Sequence, residues 1–468
     1  MAEDAGRTTR RGPRRRLASA LLAASLLPLN STMIAVALPD VARVLDRPPG
    51  TVTQALVTGY LVAAIVLQSP GGKLGDRIGH WRMFALGQLL IAAGAVLGAF
   101  APVLVLLALA RILIAAGGAV LVPATVALMR IELPADRRGR AFGAFGSMMS
   151  LAAALGPLLG GELVHRFGWP SVFLVNLPVL AVSALLVIGA RGDGPAGSRT
   201  IEGGPGQPRF DWVGSVLLGA LLTAFVLGLQ TAGAMSLALL GTCLLLIVPF
   251  VWWERRIPEP VVSFALFRSL PFAAGSLLIA VQNLTLYTLV IEMAQVLPAL
   301  LALDAATTGR LLVSMMIAVV VTSPVAGLLT DRFGCRPLAV AGSVITLFGL
   351  ALLAVAGPAA VPLPLAVLGI GLGLATPAAQ NAALSAVPRR LSGTAAGMSS
   401  TMRYLGGVVG VATLGRLIDL DADPATLAHE HLTLLGIFAA ALLIGLVCAV
   451  LLPGRRPAAV GSPTTAVE

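Results

Sequence analysis

The chain has 468 residues, of which 57% are apolar and only 11% are charged, and its mean hydropathy is +0.93. Soluble domains average about 45–50% apolar and about 25% charged residues, so this composition excludes a soluble globular protein. The net charge of +11 comes from arginines that flank apolar segments along the whole chain, which indicates membrane topology and argues against nucleic-acid binding.

Apolar windows of about 20 residues, the length that crosses a bilayer, predict fourteen transmembrane helices. Helices satisfy their own backbone groups in lipid whereas open strands do not, so the predicted fold class is all-α. The arginine-rich start before an apolar stretch also resembles a signal peptide, but its length and the thirteen later spans favour a retained helix. In chain order the predicted spans are 17–39, 52–70, 81–101, 104–129, 139–162, 170–190, 213–232, 234–252, 272–296, 306–329, 338–357, 362–386, 394–416 and 431–452.

The arginines predict the orientation of the chain in the membrane. A cluster precedes the first span, and most others follow the second, fourth, sixth and eighth spans, whereas the alternate connections hold few. By the positive-inside rule, both termini are predicted to be cytoplasmic. A composition rich in Ala, Gly and Arg, with Lys73 as the single lysine, is typical of a bacterial protein and predicts the cytoplasmic membrane as its location.

One charged pattern occurs twice, as GKLGDRIG at 72–79 and GLLTDRFG at 327–334. Only a division of six, two and six spans brings the two copies into register, and such internal repetition is typical of transporters. The predicted segments are a cytoplasmic tail (1–16), a six-helix bundle (17–190), a linker (191–212), two inserted helices (213–252), a cytoplasmic connection (253–271), a second six-helix bundle (272–452) and a cytoplasmic tail (453–468).

Four further stretches resemble signatures of the major facilitator superfamily, and within it the fourteen-span drug:proton antiporters. They are Leu29 to Pro39, Arg111 with the glycines that follow it, Gly156 to Gly161, and Trp169 to Pro178. The resemblance implies two six-helix bundles plus two inserted helices. It also implies proton-coupled export of small amphipathic molecules, such as drugs, antibiotics or secondary metabolites, by alternating access.

The duplicated pattern is expected to latch the outward-open state, as the resemblance implies. A plain topology anchor is the alternative, although anchoring needs neither an acid nor spaced glycines. A carboxylate such as Asp76 near the amino end of a neighbouring helix is worth about 0.3–1 kcal/mol. The predicted latch residues are Gly72, Gly75, Asp76, Arg77, Gly79, Arg82, Asp331 and Arg332.

The glycine-rich stretch of the fifth span resembles the antiporter motif, which is thought to seal the cavity of antiporters against proton leak. Its residues are Gly156, Pro157, Gly160 and Gly161. Proline removes one backbone hydrogen bond and predicts a bend. The alternative is ordinary helix packing, in which small residues are common.

Proton coupling requires a titratable group, and the first-span signature departs from the family at this point. Asn30 stands where the family usually has Asp, and an amide cannot titrate. The predicted proton carrier is therefore Glu292, followed by Asp40, unless both are interfacial residues that face water. The resemblance implies a role for Arg111 in proton coupling. Independently, a guanidinium at the midplane costs at least about 2.5 kcal/mol unless it is paired or hydrated. The alternative for Arg111 is a side chain that extends to the membrane surface, known as snorkelling. The same two interpretations apply to Arg403.

The substrate cavity is predicted from polar residues in spans that line it in this superfamily. These are Asn30, Thr32, Tyr60, Gln282, Asn283, Tyr287, Gln380 and Asn381. Polar side chains in membranes also simply join helices, for about 0.6 kcal/mol each, and this alternative stays open. The shortage of acids argues against a polycation exporter and favours neutral, zwitterionic or anionic substrates.

The expected partners are a small-molecule substrate, protons and the lipid bilayer, with a monomer expected from the family. No cofactor is expected, since the cysteines lack metal-binding spacing and a phosphate-binding G-x-x-x-x-G-K-[ST] loop is missing. No enzymatic activity is expected, because none of the four histidines falls within a confident span. The alternative functions are a specific metabolite or lipid transporter of the same fold, or a receptor or scaffold that has lost transport.

Overall fold

The computed structural model describes residues 11–134, 137–188, 210–231, 233–301, 305–356, 360–419 and 422–454, and all regular secondary structure in these ranges is helical. Fourteen long helices follow one another: α1 (Arg11–Ala24 and Leu26–Val44), α2 (Pro49–Thr53, Gln54–Thr58 and Gly59–Ile78), α3 (His80–Ala99), α4 (Leu104–Glu132), α5 (Arg138–Phe167), α6 (Ser171–Leu174 and Asn176–Ile188), α7 (Trp212–Gln230), α8 (Gly233–Glu254), α9 (Leu270–Leu301), α10 (Ala305–Phe333), α11 (Cys335–Val355), α12 (Pro362–Ser385), α13 (Ser392–Leu417) and α14 (Pro424–Leu451).

Thirteen of these helices are long and apolar enough to cross a membrane, and α13 is the exception. Its buried positions include several hydroxyl-bearing residues, among them Thr394, Ser399 and Ser400, which lower its hydropathy although it packs in the middle of the protein. The predicted all-α fold is confirmed, with fourteen long helices in the described ranges, of which thirteen are candidate spans.

Two helices begin six or seven residues earlier than the sequence predicts. Helix α1 starts at Arg11, inside the segment predicted as a tail. Helix α14 starts at Pro424, because Asp423 accepts hydrogen bonds from the backbone N–H groups of Ala425 (3.0 Å) and Thr426 (3.1 Å) and so caps the helix. The exclusion of the histidines from the spans was therefore wrong: α14 contains His429 and His431, α3 begins at His80, and α5 extends past His165.

Helices α1–α6 form the first bundle and α9–α14 form the second, and the two repeat the same packing. Helix α1 packs on α5, and α3 on α4; correspondingly, α9 packs on α13, and α11 on α12. Close approach of α5 to α1 depends on Gly160, where a Cβ would lie 2.7 Å from Met33 Cγ. In the second bundle Gly410 has the same role, because a Cβ there would overlap the hydroxyl of Thr288.

Helices α7 and α8 pack against each other beside the line where α2 meets α13, and they contact both bundles. On the first bundle, Thr58 of α2 donates a hydrogen bond to Gln230 of α7 (3.0 Å). On the second, Arg416 of α13 donates to the carbonyl of Gly228 (3.1 Å) and to Ser236 Oγ (2.8 Å). The two inserted helices are thus attached to both bundles at the same end.

Several predicted segments fall on residues outside those the structure describes. They include most of the first tail (1–10), most of the linker (189–209, with Arg199 and Arg209), and the last tail from residue 455 onward. Their boundaries stay predictions.

Candidate functional site

The face of the protein at which α1 begins, here called the N-terminal face, carries the first contact between the bundles. Asp76, near the end of α2, accepts hydrogen bonds from the backbone N–H groups of Gly393 and Thr394, at 2.7 Å each. The Thr394 hydroxyl donates a third bond at 2.6 Å. The first N–H groups of a helix have no partner within it and carry partial positive charge, so the start of α13 is a favourable place for a carboxylate.

A second contact repeats the first with the bundles exchanged. Asp331, near the end of α10, accepts hydrogen bonds from the backbone N–H groups of Gly139 (2.8 Å) and Arg140 (3.1 Å), at the start of α5. Each bundle therefore binds the first turn of a helix of the other bundle. These two sets of bonds are called the Asp76 contact and the Asp331 contact below.

The glycines of the duplicated pattern allow the backbones to touch at these contacts. A Cβ on Gly72 would overlap the carbonyl oxygen of Gly393, and a Cβ on Gly327 would overlap that of Gly139. Backbone cannot move aside as a flexible side chain can, so a larger residue at either position would force the helices apart.

The remaining predicted latch residues lie around the Asp76 contact and its repeat. Gly79 (φ 99°) and Gly334 (φ 92°) occupy the left-handed region, where the chain turns from one helix into the next. His80 packs against Gly75 and places Nε2 3.4 Å from Asp76 Oδ1. Of the arginines, Arg77 is half-buried, Arg82 is exposed, and Arg332 lies over the ring of Phe333 (5.3 Å).

Arg130, which the sequence predicts only as a topology signal, also joins the bundles at this face. From α4 it donates to Ser392 Oγ (3.0 Å) and to the carbonyl of Val387, in the segment that leads into α13. A basic residue at the end of a span is expected for topological reasons, so the sequence offered no sign of this second role.

Arg111 is 1% exposed and lies inside the first bundle. Its Nε donates to the carbonyl of Leu56 (2.9 Å), its Nη1 donates to the carbonyl of Asn30 (3.1 Å), and its guanidinium lies 4.0 Å from the centre of the Tyr60 ring. Leu56 belongs to the π-helical segment Gln54–Thr58, and such segments interrupt the regular bonding of α-helices. The guanidinium thus points into the bundle rather than towards the membrane surface.

Three of the predicted cavity residues take part in the packing of the first bundle. Asn30 and Asn176 form a reciprocal amide pair between α1 and α6, with N–O distances of 2.6 and 3.1 Å. The Tyr60 hydroxyl donates to the carbonyl of Leu27 (2.7 Å), and Thr32 donates to the carbonyl of Ala153 (3.1 Å). Contact of these residues with a substrate stays a prediction.

Glu292 is completely buried, at 0% exposure. Its Oε1 lies 2.5 Å from Nδ1 of His431, so the pair joins α9 to α14 as Asn30 and Asn176 join α1 to α6. The same interval in sequence separates Asp76 from Asp331 and Asn176 from His431. His431 therefore stands at the position equivalent to Asn176, whereas Glu292 is equivalent to Ala37 rather than to Asn30. Both pairs join corresponding helices, and only the pair in the second bundle is titratable.

His431 was missed from the sequence because apolar windows place the start of the last span at that residue, although the register of the repeat identifies it. The other predicted acid, Asp40, is partly exposed and forms an ion pair with Arg43 three residues later. That position matches the interfacial alternative considered for it.

Arg403 lies between the bundles rather than within one of them. From α13 its Nη2 donates to Gln380 Oε1 (2.6 Å) of α12, and its guanidinium lies 5.8 Å from the ring of Phe145, on α5 of the first bundle. Tyr287 and Tyr404 lie within electrostatic range of this arginine. The side chain is partly exposed, unlike that of Arg111.

The other predicted cavity residues of the second bundle are buried. Among the residues that the structure describes, neither amide atom of Gln282 has a hydrogen-bond partner, whereas Asn283 donates to the carbonyl of Ile279 in its own helix (2.8 Å). Asn381 accepts a hydrogen bond from Ser385 (3.1 Å).

Two glycines of the antiporter motif pack α5 on α1, and the sealing role of the motif stays a prediction. Gly156 and Gly160 face Thr32 and Met33, whereas a Cβ on Gly161 would meet nothing closer than 3.9 Å. Pro157 lies inside α5.

The inserted helices carry a buried acidic cluster at the N-terminal face that the sequence analysis did not identify. Asp211 accepts hydrogen bonds from the backbone of Gly214 (2.7 Å) and the indole of Trp253 (2.9 Å), while Glu254 accepts one from the backbone of Val262 (3.1 Å). Both acids crowd Gly214, since a Cβ there would overlap a carboxyl oxygen of each.

Lys73, in the duplicated pattern of α2, lies next to this acidic cluster. Its Nζ lies 3.3 Å from Oε2 of Glu259, and it is also within electrostatic range of Glu254. The segment that follows α8 is thus joined to the helix that carries Asp76.

Comparison with known proteins agrees with the fold. The sequence model of the Major Facilitator Superfamily matches residues 20–411 and, in a second match, 275–467. The chain belongs to this superfamily of transporters. The multidrug efflux pump LfrA of Mycolicibacterium smegmatis is 33% identical over 427 residues, which cover 88% of this chain and 82% of LfrA. An uncharacterized MFS-type transporter of Bacillus subtilis, YvkA, is 31% identical over 406 residues, 85% of this chain and 89% of YvkA.

Among solved structures, that of the human organic anion transporter MFSD10 superposes on this superfamily member with a TM-score of 0.67 and 13% identity. The match covers 93% of this chain and 99% of that chain. At this identity the likeness shows the fold alone. The predicted family is confirmed, and with it a multi-pass membrane transporter of small molecules.

Proposed function

We propose that this transporter exports small amphipathic organic molecules in exchange for protons, by alternating access between the two bundles. The observation that carries the proposal is the pair of related contacts formed by Asp76 and Asp331. Because each acid binds a helix start of the opposite bundle, both must release before the bundles can separate at the N-terminal face. The arginine distribution favours this face as the cytoplasmic one, and the predicted latch role of the duplicated pattern follows from it.

The export direction is supported by the relatives. LfrA is named a multidrug efflux pump, and it aligns with most of this chain. An exporter spends part of its cycle closed towards the cytoplasm, and bundles that are joined at the N-terminal face suit that state.

Proton coupling is proposed to depend on Glu292 and His431. Only differential binding of the proton and the substrate to the two states can couple their flows. Protonation of Glu292 replaces a carboxylate by a neutral acid beside His431 and so changes the bond between α9 and α14. One charge that crosses about 100 mV releases roughly 2.3 kcal/mol, which supports a substrate gradient on the order of fifty-fold per proton.

The test is transport in liposomes that contain the purified protein under an imposed pH gradient. Three fluorescent amphiphiles, one cationic, one neutral and one anionic, serve as probes. We expect flux of at least one probe that follows the gradient and stops when a protonophore is added. Flux that ignores the gradient would contradict the coupling, and the absence of flux for every probe, and for sugar and amino-acid counterflow, would favour a non-transporting receptor.

A further inference from the structure

Two guanidinium groups lie deep in this protein without a carboxylate partner. Arg111 binds two backbone carbonyls and the Tyr60 ring, and Arg403 binds the neutral amide of Gln380. Among the residues that the structure describes, no acid lies within ion-pair distance of either arginine. A charge inside a membrane protein is costly unless it is paired or hydrated, so it marks a candidate functional site.

The two arginines differ in how a ligand could reach them. Arg111 is enclosed by the first bundle, whereas Arg403 is partly exposed between the bundles, near Phe145 of the opposite bundle. Alternating access opens the space between bundles and leaves each interior packed. Arg403 is therefore the guanidinium that a transported molecule would meet.

Arg403 retains hydrogen-bonding capacity for such a molecule. Its Nε is buried and has no hydrogen-bond partner in the described part of the chain, where its Nη2 has an amide acceptor. Guanidinium N–H groups match the two oxygens of a carboxylate, and bonds of this kind are among the strongest in proteins. An unpaired buried donor is unfavourable, so a bound anion would remove that cost.

The surroundings of Arg403 suit an aromatic or otherwise apolar body. The chain contains three tyrosines. They are Tyr60, Tyr287 and Tyr404, and they lie within electrostatic range of one another. Phe145 adds a further ring from α5. Aromatic faces pack well against flat ligands and add specific stacking contacts.

The charges around this site oppose a cationic ligand. Among the residues that the structure describes, the titratable groups within electrostatic range of Arg403 are Tyr287 and Tyr404, and the second buried guanidinium, Arg111, lies against the ring of Tyr60. Glu292, in the same bundle, is bonded to His431. A cation between the bundles would thus meet positive charge, whereas an anion would gain a partner.

We propose that Arg403 binds the anionic group of the substrate, and that the transported molecules are organic anions with an aromatic or apolar body, carboxylates above all. This inference rests on the proposed transport function and adds the substrate class to it.

The test uses three probes that share one ring system: pyrenebutyrate, its uncharged amide, and a pyrene carrying a trimethylammonium group. Binding to the whole protein in nanodiscs is measured by energy transfer from tryptophan to pyrene, with empty nanodiscs as the background. The variants are Arg403→Gln, which removes the charge, and Arg403→Lys, which keeps the charge but loses the planar fork. Arg166→Gln, at an exposed arginine paired with Glu162, is the matched control.

We expect the wild type to bind pyrenebutyrate more tightly than the amide, and the cation most weakly. Loss of one charged hydrogen-bonded pair predicts roughly 10- to 100-fold weaker binding of pyrenebutyrate in Arg403→Gln, with the amide little changed. Arg403→Lys should keep part of the preference, and Arg166→Gln should keep all of it. Equal binding of the three probes by the wild type, or equal weakening of all three in Arg403→Gln, would overturn the proposal without depending on the stability of any variant.

Transport of the same probes separates this inference from the proposed function. Selective binding of pyrenebutyrate without flux under a pH gradient would refute proton-coupled export and leave the anion site standing. Proton-driven flux of the cationic probe but not of pyrenebutyrate would support proton-coupled transport and refute the anion site at Arg403.

Discussion

Replacement of Asp76 by Asn should weaken closure of the N-terminal face more than the same change at Asp331. Asp76 accepts three hydrogen bonds from the start of α13. Asp331 accepts two from the backbone at the start of α5, and its 4.0 Å ion pair with the exposed side chain of Arg140 adds little. Asn retains a single acceptor and no charge, and a hydrogen bond to a charged group contributes about 1.5–3 kcal/mol. We therefore expect Asp76→Asn to destabilise the closed face by about 2 kcal/mol, which shifts the equilibrium about 30-fold.

Distances between spin labels measure this shift directly. Labels on Ile131→Cys, at the end of α4, and Phe333→Cys, at the end of α10, report the separation of the bundles at this face, and both positions are exposed. The native cysteines are first replaced. We expect a longer distance population in Asp76→Asn, a smaller one in Asp331→Asn, and none in Glu132→Gln, where the acid binds the indole of Trp81 (2.8 Å) within one bundle. Unchanged distances in both Asp variants would refute the latch.

Three further results are expected. Gly72→Ala should abolish transport because its Cβ would overlap the carbonyl oxygen of Gly393. Gly161→Ala should keep nearly full flux in liposomes, because the atom nearest to its Cβ would be 3.9 Å away. Glu292→Gln should retain substrate exchange but lose its response to a pH gradient, and His431→Asn should also blunt that response; a full response in both would remove the pair from proton coupling. Arg416→Ala should lower the melting temperature in detergent by detaching α7 and α8 from α13, and an unchanged value would show that this attachment adds no stability.

Composition and periodicity were enough to predict the all-α membrane fold, because a bilayer leaves few other solutions for so apolar a chain. The repeat also identified Asp76 and Asp331 as residues of interest. Their partners at the starts of α13 and α5 could not be predicted, since those helices are hundreds of residues away and are joined only by the folded bundles. Sequence shows which residues are repeated but not what they contact.

The buried polar residues show a second limit. Asn30 and Tyr60 were predicted to line the cavity, yet both bond to neighbouring helices within the first bundle. A polar residue in a span can face a ligand or a helix, and only packing distinguishes the two. His431 was missed for another reason. Hydropathy windows place the start of the last span at this residue, whereas the cap formed by Asp423 starts α14 about two turns earlier.

Cross-linking across the Asp76 contact tests the account most directly. Ser69 of α2 and Thr401 of α13 place their hydroxyl oxygens 3.1 Å apart across the two bundles. In a protein without other cysteines, Ser69→Cys with Thr401→Cys should form a disulfide that stops proton-driven flux, and reduction should restore it. Full flux with the disulfide intact would show that α2 and α13 need not separate, and would contradict alternating access by these two bundles.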